Sequence, residues 1–151
     1  METTVISYLA GKLNRDLIIA AHQELTREWW ENRSKKFASF ISQLVIQELK
    51  QGDKQAAQRR IQVIENIPVL ELNDRVRALA HELMEKKIMP RKAVEDALHI
   101  AIATVHGMDF LVTWNCKHIA NAEMRHGISI VCYDQGYELP IICTPEELMG
   151  G

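Results

Sequence analysis

Hydrophobic and polar positions along the chain follow two patterns. Apolar residues at helical spacing predict helices at residues 14–32, 43–51, 74–87 and 93–106, with a shorter one after Asp53. Short apolar runs bounded by polar residues predict strands at residues 37–41, 68–72, 110–113 and 128–132, with an edge piece at 141–143. Strands that alternate with helices in this way indicate βαβ units and a parallel sheet.

The helix predicted at residues 93–106 is apolar around most of its circumference, which is typical of a helix buried in a core. Three of its polar residues, Glu95, His99 and His106, fall in one narrow stripe at 100° per residue. Asp96 falls outside that stripe, among apolar positions. We therefore expect the stripe, including His99, to face solvent and Asp96 to face the interior.

A second acid, Glu48, lies inside the apolar arc of the helix at residues 43–51. Asn115 follows the apolar strand at 110–113, and ligands of parallel sheets gather at the carboxyl ends of strands. An unpaired buried carboxylate costs several kcal/mol. For one acid alone, an Arg or Lys partner or a helix cap is the simpler explanation. Two such acids with an Asn after a strand favour a shared hard cation, Mg²⁺ or Mn²⁺.

Composition restricts the class of protein further. A chain of 151 residues with 47% hydrophobic and 25% charged residues suits one globular domain. Its three cysteines have no CxxC spacing, so neither a disulfide framework nor a zinc knuckle is indicated. No apolar run approaches the roughly 20 residues that span a bilayer. We expect a cytoplasmic protein with no membrane contact.

The net charge of −2 provides no global attraction to nucleic acid, so such a contact would need local basic groups. Arg91 and Lys92 precede the central helix, and Lys117 lies two residues after Asn115. These three residues are the candidates for binding an RNA backbone, with an ordinary solvated surface as the alternative.

Four short blocks resemble the successive signatures of PIN-domain proteins, closest to VapC-type toxins of type II toxin–antitoxin pairs. They are ETTVIS from Glu2, IQEL around Glu48, DALHIA from Asp96, and TWNCKHIAN after the apolar strand. The resemblance covers essentially the whole chain in the right order. It implies a three-layer α/β/α sandwich with a mostly parallel sheet, and acids that hold Mg²⁺ or Mn²⁺ for the hydrolysis of RNA phosphodiesters.

The resemblance assigns roles residue by residue. Glu2, Glu48 and Asp96 match the first three acids of the family, and Asn115 matches the fourth, which is often Asp. These four are the expected metal ligands, and His118 is expected to orient a phosphate or exchange a proton. Glu2 is one methylene longer than Asp, and Asn115 keeps an oxygen but lacks a charge, so a second metal would be held less tightly.

The start of the chain departs from the family. There the first acid follows the central strand of the sheet, whereas only Met1 precedes Glu2 here. We therefore expect residues 1–151 to form a single, N-terminally truncated PIN-like domain that lacks the first central strand. Its absence would leave a slot with unpaired backbone groups on both neighbouring strands.

The leading functional hypothesis is a metal-dependent endoribonuclease acting as the toxin of a toxin–antitoxin pair. The expected partners are an RNA substrate, an antitoxin near Tyr8, Trp29 and Trp30, and a second copy in a homodimer; core packing is the alternative role of these aromatic residues. A catalytically weak PIN-fold protein that acts through protein or RNA binding is the main alternative. A phosphatase or DNA nuclease with the same acids stays open.

Overall fold

The computed structural model describes residues 1–150, in which seven helices alternate with four short strands. The helices are α1 Thr3–Ala10, α2 Leu17–Asn32, α3 Gln43–Leu49, α4 Lys54–Val63, α5 Asp74–Glu85, α6 Val94–Val105 and α7 Ala122–Asp134. The strands are β1 Ile41–Ser42, β2 Val69–Leu70, β3 Phe110–Val112 and β4 Ile141–Cys143. Single 3₁₀ turns lie at Ser34–Lys36 and Glu146–Leu148.

All strand pairing is parallel, but it is divided between two sheets. β1 pairs with β2, with Ile41 opposite Val69, and β3 pairs with β4, with Leu111 opposite Ile142. Helices cover both faces, so the predicted α/β/α fold is confirmed.

The hydrophobic core lies on both sides of the strands. On one side, α5, α6 and α7 pack against β3 and β4 through the buried residues Leu83, Ile100, Leu111, Ile128 and Ile142. On the other side, α1 packs with α3 and β1 through Ile6, Val45 and Ile41. Trp29 of α2 packs with Val5 and Val112 in a third cluster. These contacts hold α1, α3 and α6 in place around the strand ends.

The first two residues connect the two sheets at one end. The amino group of Met1 donates to the backbone oxygen of Phe40, just before β1, at 2.7 Å. The backbone N–H of Glu2 donates to the oxygen of Val112, in β3, at 2.9 Å. Met1 and Glu2 therefore lie between β1 and β3, although one hydrogen bond to each side is too few to make them a strand.

Two sequence-based expectations differ from the structure. The strand predicted at residues 128–132 is wrong, because these residues belong to α7, which Asn121 caps. Ile128, Val131 and Cys132 are buried at i, i+3 and i+4, which is a helical face within a run of β-branched residues. The strand predicted at 37–41 is wrong except for Ile41, because β1 is Ile41–Ser42, and the strand predicted at 68–72 shortens to Val69–Leu70.

No helix among residues 1–150 is both long enough and apolar enough to cross a membrane.

Candidate active site

Glu2 is a buried carboxylate at the start of α1. It caps the helix and is 4% exposed. Its Oε2 accepts hydrogen bonds from Thr4 N at 3.1 Å, Thr4 Oγ1 at 2.5 Å and Thr113 Oγ1 at 2.7 Å. Its Oε1 has no hydrogen-bond donor within residues 1–150. One oxygen thus fixes the side chain, and the other is left to bind something else.

Glu48, near the end of α3, is held by two neighbours. Its Oε1 and Oε2 lie 2.9 and 3.2 Å from Nε2 of His99, and the Thr3 hydroxyl donates to Oε2. Burial acts to raise the pKa of the Glu48 carboxyl, but the hydrogen bond and charge of His99, with the Thr3 hydrogen bond, outweigh burial and lower that pKa. Glu48 is therefore kept ionised although its side chain is only 17% exposed.

Glu2, Glu48 and His99 together form the group suited to a cation. One ligand atom from each lies within 4.8 Å of the other two. Carboxylate oxygens suit Mg²⁺ and Mn²⁺, and Oε1 of Glu2 accepts no hydrogen bond from the described residues and is accessible, so the donor set fits such an ion. Nε2 of His99 is already bonded to Glu48, which gives His99 the role of orienting that carboxylate.

Asp96, Asn115 and His118 form a second cluster. Asp96 Oδ1 accepts from Asn115 Nδ2 at 2.8 Å, and Asp96 Oδ2 lies 2.7 Å from His118 Nδ1. Asn115 Oδ1 accepts from the backbone N–H of His118 at 3.1 Å. The side chains of His118 and Asp96 are 14% and 20% exposed, so this cluster is partly open to solvent.

The two clusters adjoin. Asp96 and His99 are three residues apart on α6, which places them on neighbouring turns of one helix face. Thr113, fully buried at the end of β3, donates its hydroxyl to Glu2 and accepts from the backbone N–H of Asn115 at 2.9 Å. Thr113 and α6 therefore connect the two clusters.

Trp114 fixes the loop that follows β3. Its backbone N–H donates to Thr4 Oγ1 at 2.9 Å, and its indole Nε1 donates to Thr26 Oγ1 at 2.7 Å. The ring of His22 stacks on the indole, with 4.0 Å between the centroids. The loop is thereby tied to α1 and α2, which keeps Asn115 beside Asp96.

The burial of Met1 also affects this region. Burial lowers the pKa of its amino group to about 6, against opposing charges that include Glu2.

The predicted site residues form two neighbouring groups. Glu2 and Glu48 lie together beside His99, and Asp96, one turn earlier on α6, lies with Asn115 and His118. The expectation that His99 faces solvent is wrong: it is 5% exposed because α3 lies over its part of the stripe and presents Glu48 to it. The sequence signal that points to it is its i+3 spacing from Asp96.

The basic residues proposed for RNA binding are all exposed. Arg91 and Lys92 belong to the turn before α6, and Lys117 belongs to the loop between Asn115 and His118. None of them forms a salt bridge with a residue of the part of the chain described above. Their charges are free to meet an anion.

A profile of the PIN domain family matches residues 2–121, a span that contains Glu2, Glu48, Asp96, Asn115 and His118. The chain has no match among curated proteins or among solved structures.

Proposed function

The chain belongs to the PIN domain family, whose members are generally nucleases, and we propose that it is a Mg²⁺- or Mn²⁺-dependent endoribonuclease. The proposal rests on one observation. Glu2, the cap of α1, and Glu48, in α3, each offer a carboxylate oxygen, and these two oxygens lie within 4.8 Å of each other. Carboxylate oxygens that converge in this way form a site that a hard divalent cation suits.

The proposed roles follow the hydrogen bonds. Glu2 and Glu48 hold the cation through their oxygens, and His99 positions Glu48. With a cation bound by these residues, the site would gain a water of lowered pKa and a Lewis acid for the scissile phosphate. Asp96 orients the attacking water, and His118, bonded to Asp96 at 2.7 Å, exchanges a proton with the leaving oxygen.

Asp96 and Asn115 complete the proposed ligand set at the edge of the site. In the structure, the Asn115 amide presents its NH₂ group to Asp96 and its oxygen to the backbone of His118. The side-chain oxygen of Asn115 already accepts one hydrogen bond and is uncharged, so it offers a second cation only one remaining lone pair. Asn115 is therefore the weakest of the four proposed ligands.

Substitution of Glu48 tests the proposal. Glu48→Gln keeps the size of the side chain and removes the charge, so we expect Mn²⁺ affinity to fall by at least about tenfold, together with loss of RNA cleavage. Isothermal calorimetry measures the first effect, and cleavage of a labelled RNA with and without EDTA measures the second.

Glu65→Gln is the matched control, because Glu65 is exposed and lies outside both clusters. It should leave Mn²⁺ binding and cleavage unchanged. Cleavage that survives EDTA, or that Glu48→Gln leaves intact, would overturn the proposal.

One observation favours the alternative of a catalytically weak binding protein: both oxygens of Asp96 are already hydrogen-bonded, to Asn115 and to His118. In that case RNA would bind without being cut, and the affinity would be the same with Mn²⁺ and with EDTA. A filter-binding assay beside the cleavage assay distinguishes the two functions.

We further propose that the nuclease is a toxin held inactive by an antitoxin protein. Trp29 is 1% exposed and serves core packing rather than a partner. Apolar residues that a partner could cover lie beside α1 and at the start of α2, where Leu13, Leu17 and Ile18 are 69%, 86% and 70% exposed. A second copy of the chain could cover the same residues in a homodimer, which sedimentation would detect.

Expression in bacteria tests the toxin role. We expect the chain to arrest growth, Glu48→Gln to relieve the arrest, and co-expression of the protein encoded by the adjacent reading frame to relieve it as well. Growth that is unaffected by an RNA-cleaving chain would exclude a toxin and leave a housekeeping nuclease.

A further inference from the structure

Three aromatic rings form a cluster beside the proposed cation site; we call it the aromatic platform. Tyr8 of α1, His22 of α2 and Trp114 of the loop after β3 supply the rings. The rings of His22 and Trp114 are nearly parallel, with an angle of 15° and 4.0 Å between their centroids. The Tyr8 ring is tilted, and its centroid lies 6.2 Å from that of His22 and 6.4 Å from that of Trp114.

Two helices hold the indole of Trp114, each through two side chains four residues apart. On α1, Thr4 accepts a hydrogen bond from the backbone N–H of Trp114 at 2.9 Å, and Tyr8 lies against the indole. On α2, Thr26 accepts from the indole N–H at 2.7 Å, and His22 stacks on the indole. Side chains at i and i+4 share one face of a helix, so each helix presents its pair to the same ring. The platform is therefore assembled before any ligand binds.

The aromatic platform adjoins the proposed cation site. Thr4 Oγ1, which holds the backbone of Trp114, donates to Glu2 Oε2 at 2.5 Å. The residue after Trp114 is Asn115, another proposed ligand. Burial first, and then negative charges that include Glu2, raise the pKa of the Tyr8 hydroxyl, so the charge of Glu2 reaches the platform. A nucleotide with its phosphate at the cation site therefore has the platform beside it.

The rings of the aromatic platform are open to solvent, unlike those of the core. Tyr8, His22 and Trp114 are each partly exposed, whereas Trp29 is 1% exposed. Trp114 covers one face of the His22 ring, so the exposed part of that ring belongs to its other face and its edge. His22 bonds to Thr26 through its backbone oxygen, and its ring has no hydrogen-bond partner within residues 1–150. The ring thus offers a stacking surface.

A nucleobase is the ligand whose chemistry fits such a surface. Aromatic side chains stack on unpaired bases of RNA, and these stacks tolerate any sequence because every base has a π-face. A base inside a duplex is not available, because its neighbours cover both of its faces. The nearly parallel pair of His22 and Trp114 has the geometry in which one more ring continues the stack.

We propose that the aromatic platform binds an unpaired base of the RNA, close to the phosphate that is cut, with the base stacked on His22. The platform makes the site selective for single-stranded RNA and loops over duplex RNA. This inference rests on the proposed function, since it names the class of RNA that the site accepts. His22 is a binding residue here and takes no part in the chemical step.

RNA binding in EDTA tests the platform without any cleavage. Fluorescence anisotropy would compare a single-stranded RNA with the same RNA paired into a duplex, for the wild type and for His22→Ala. The wild type should prefer the single strand. His22→Ala should weaken single-strand binding by about tenfold, the order of magnitude of one base stack, and should leave duplex binding unchanged.

A 2-aminopurine in the RNA reports the stacking itself, because the fluorescence of this base is quenched when it stacks on another ring. The probe is a single-stranded RNA with one 2-aminopurine flanked by uridines, which stack weakly on it. We expect binding to quench the fluorescence with the wild type and to leave it nearly unchanged with His22→Ala.

Control variants separate stacking from charge and from folding. His22→Phe keeps a stacking ring without a titratable group, so it should retain the preference for the single strand and the quenching. His22→Leu keeps bulk over Trp114 without an aromatic face, so it should behave like His22→Ala even if alanine loosens the packing of α2. His81→Ala removes an exposed histidine from α5 and should change neither readout.

Equal weakening of single-strand and duplex binding in His22→Ala and His22→Leu would overturn the proposal, and so would loss of single-strand binding in His22→Phe. Absence of quenching with the wild type would also overturn it and would leave the platform to the protein partner proposed above. Failure of the nuclease proposal is a separate result, because EDTA-sensitive cleavage decides it and these titrations contain no free metal.

Discussion

At the scale of single residues, the pair formed by His99 and Glu48 determines how the site responds to pH. Glu48 would have a raised pKa from burial alone, and its contacts with His99 and Thr3 reverse the direction of the shift. Because the pKa of Glu48 is lower in the folded chain than its usual 4.5, its ionised form stabilises the fold. That stabilisation is complete above the usual pKa and is lost as the pH falls through the lower, folded value.

Replacing His99 by Gln should reverse this dependence. Burial of Glu48 would then act with less opposition, so its carboxyl would take up a proton at higher pH and stability would rise as the pH falls towards 4.5. At pH 7 we expect a loss of about 1–3 kcal/mol in the free energy of unfolding, measured by urea in metal-free buffer. His126→Gln is the control, because His126 is exposed. Parallel pH profiles for His99→Gln and the wild type would contradict the prediction.

At position 115, the uncharged amide of Asn115 suits the metal-free chain better than a carboxylate would. Asn115→Asp would place a second negative charge next to Asp96, at the atom that now donates over 2.8 Å. Without metal we expect a loss of about 1–3 kcal/mol in stability, and added Mn²⁺ should recover most of it. Thermal unfolding with EDTA and with Mn²⁺ measures both effects.

Asn73→Asp is the matched control, because Asn73 caps α5 through its side-chain oxygen and Asp caps a helix equally well. It should change neither stability nor the response to Mn²⁺. A variant Asn115→Asp that is as stable as the wild type in EDTA would show that Asp96 does not feel the new charge.

At the scale of elements, the site depends on how β3 ends and on the face that α6 presents. Thr113 closes β3 with a buried hydroxyl that bonds to groups of both clusters. α6 adds Asp96 and His99 from adjacent turns. The acids are therefore positioned by buried structure, and the exposed loop after β3 contributes only Asn115 and His118.

Thr113→Val keeps the shape of the side chain but removes both hydrogen bonds. The N–H of Asn115 and Oε2 of Glu2 would each lose a partner, so we expect a loss of about 1–3 kcal/mol in the free energy of unfolding and weaker Mn²⁺ binding. Thr113→Ser keeps the hydroxyl and should retain Mn²⁺ affinity. If Val and Ser at this position behaved alike, the hydroxyl would not be what joins the clusters.

The elements also show what a single sequence can predict. Helices with a strong apolar face, such as α5 and α6, are predicted nearly to their ends, because their periodicity is local. The strand predicted at 128–132 is wrong because β-branched residues on a helix face resemble a short apolar run. The sequence misplaces His99 because a helical wheel shows which residues share a face but not which element covers that face.

At the scale of the whole molecule, a net charge of −2 coexists with a site next to exposed cations. RNA bound through a few local basic groups should show a modest dependence on salt. Arg91→Ala with Lys92→Ala should weaken RNA binding and reduce the slope of log affinity against log salt by about 1.4, because each phosphate of a single strand that is no longer neutralised lowers it by about 0.7.

Lys50→Ala with Lys54→Ala is the control for that measurement, because both residues are exposed and carry the same total charge. A slope that falls equally in both double variants would mean that net charge, rather than position, governs RNA binding. Fluorescence anisotropy at several salt concentrations provides the slopes.

The position of Glu2 connects the sheet with the cation site. Glu2 bonds to β3 through its backbone, caps α1 and is the first proposed cation ligand. Equilibria that share a residue are coupled reciprocally: if the docking of α1 against β3 tightens cation binding by some factor, a bound cation must stabilise that docking by the same factor. We would then expect a cation to slow the local opening of the fold around Glu2.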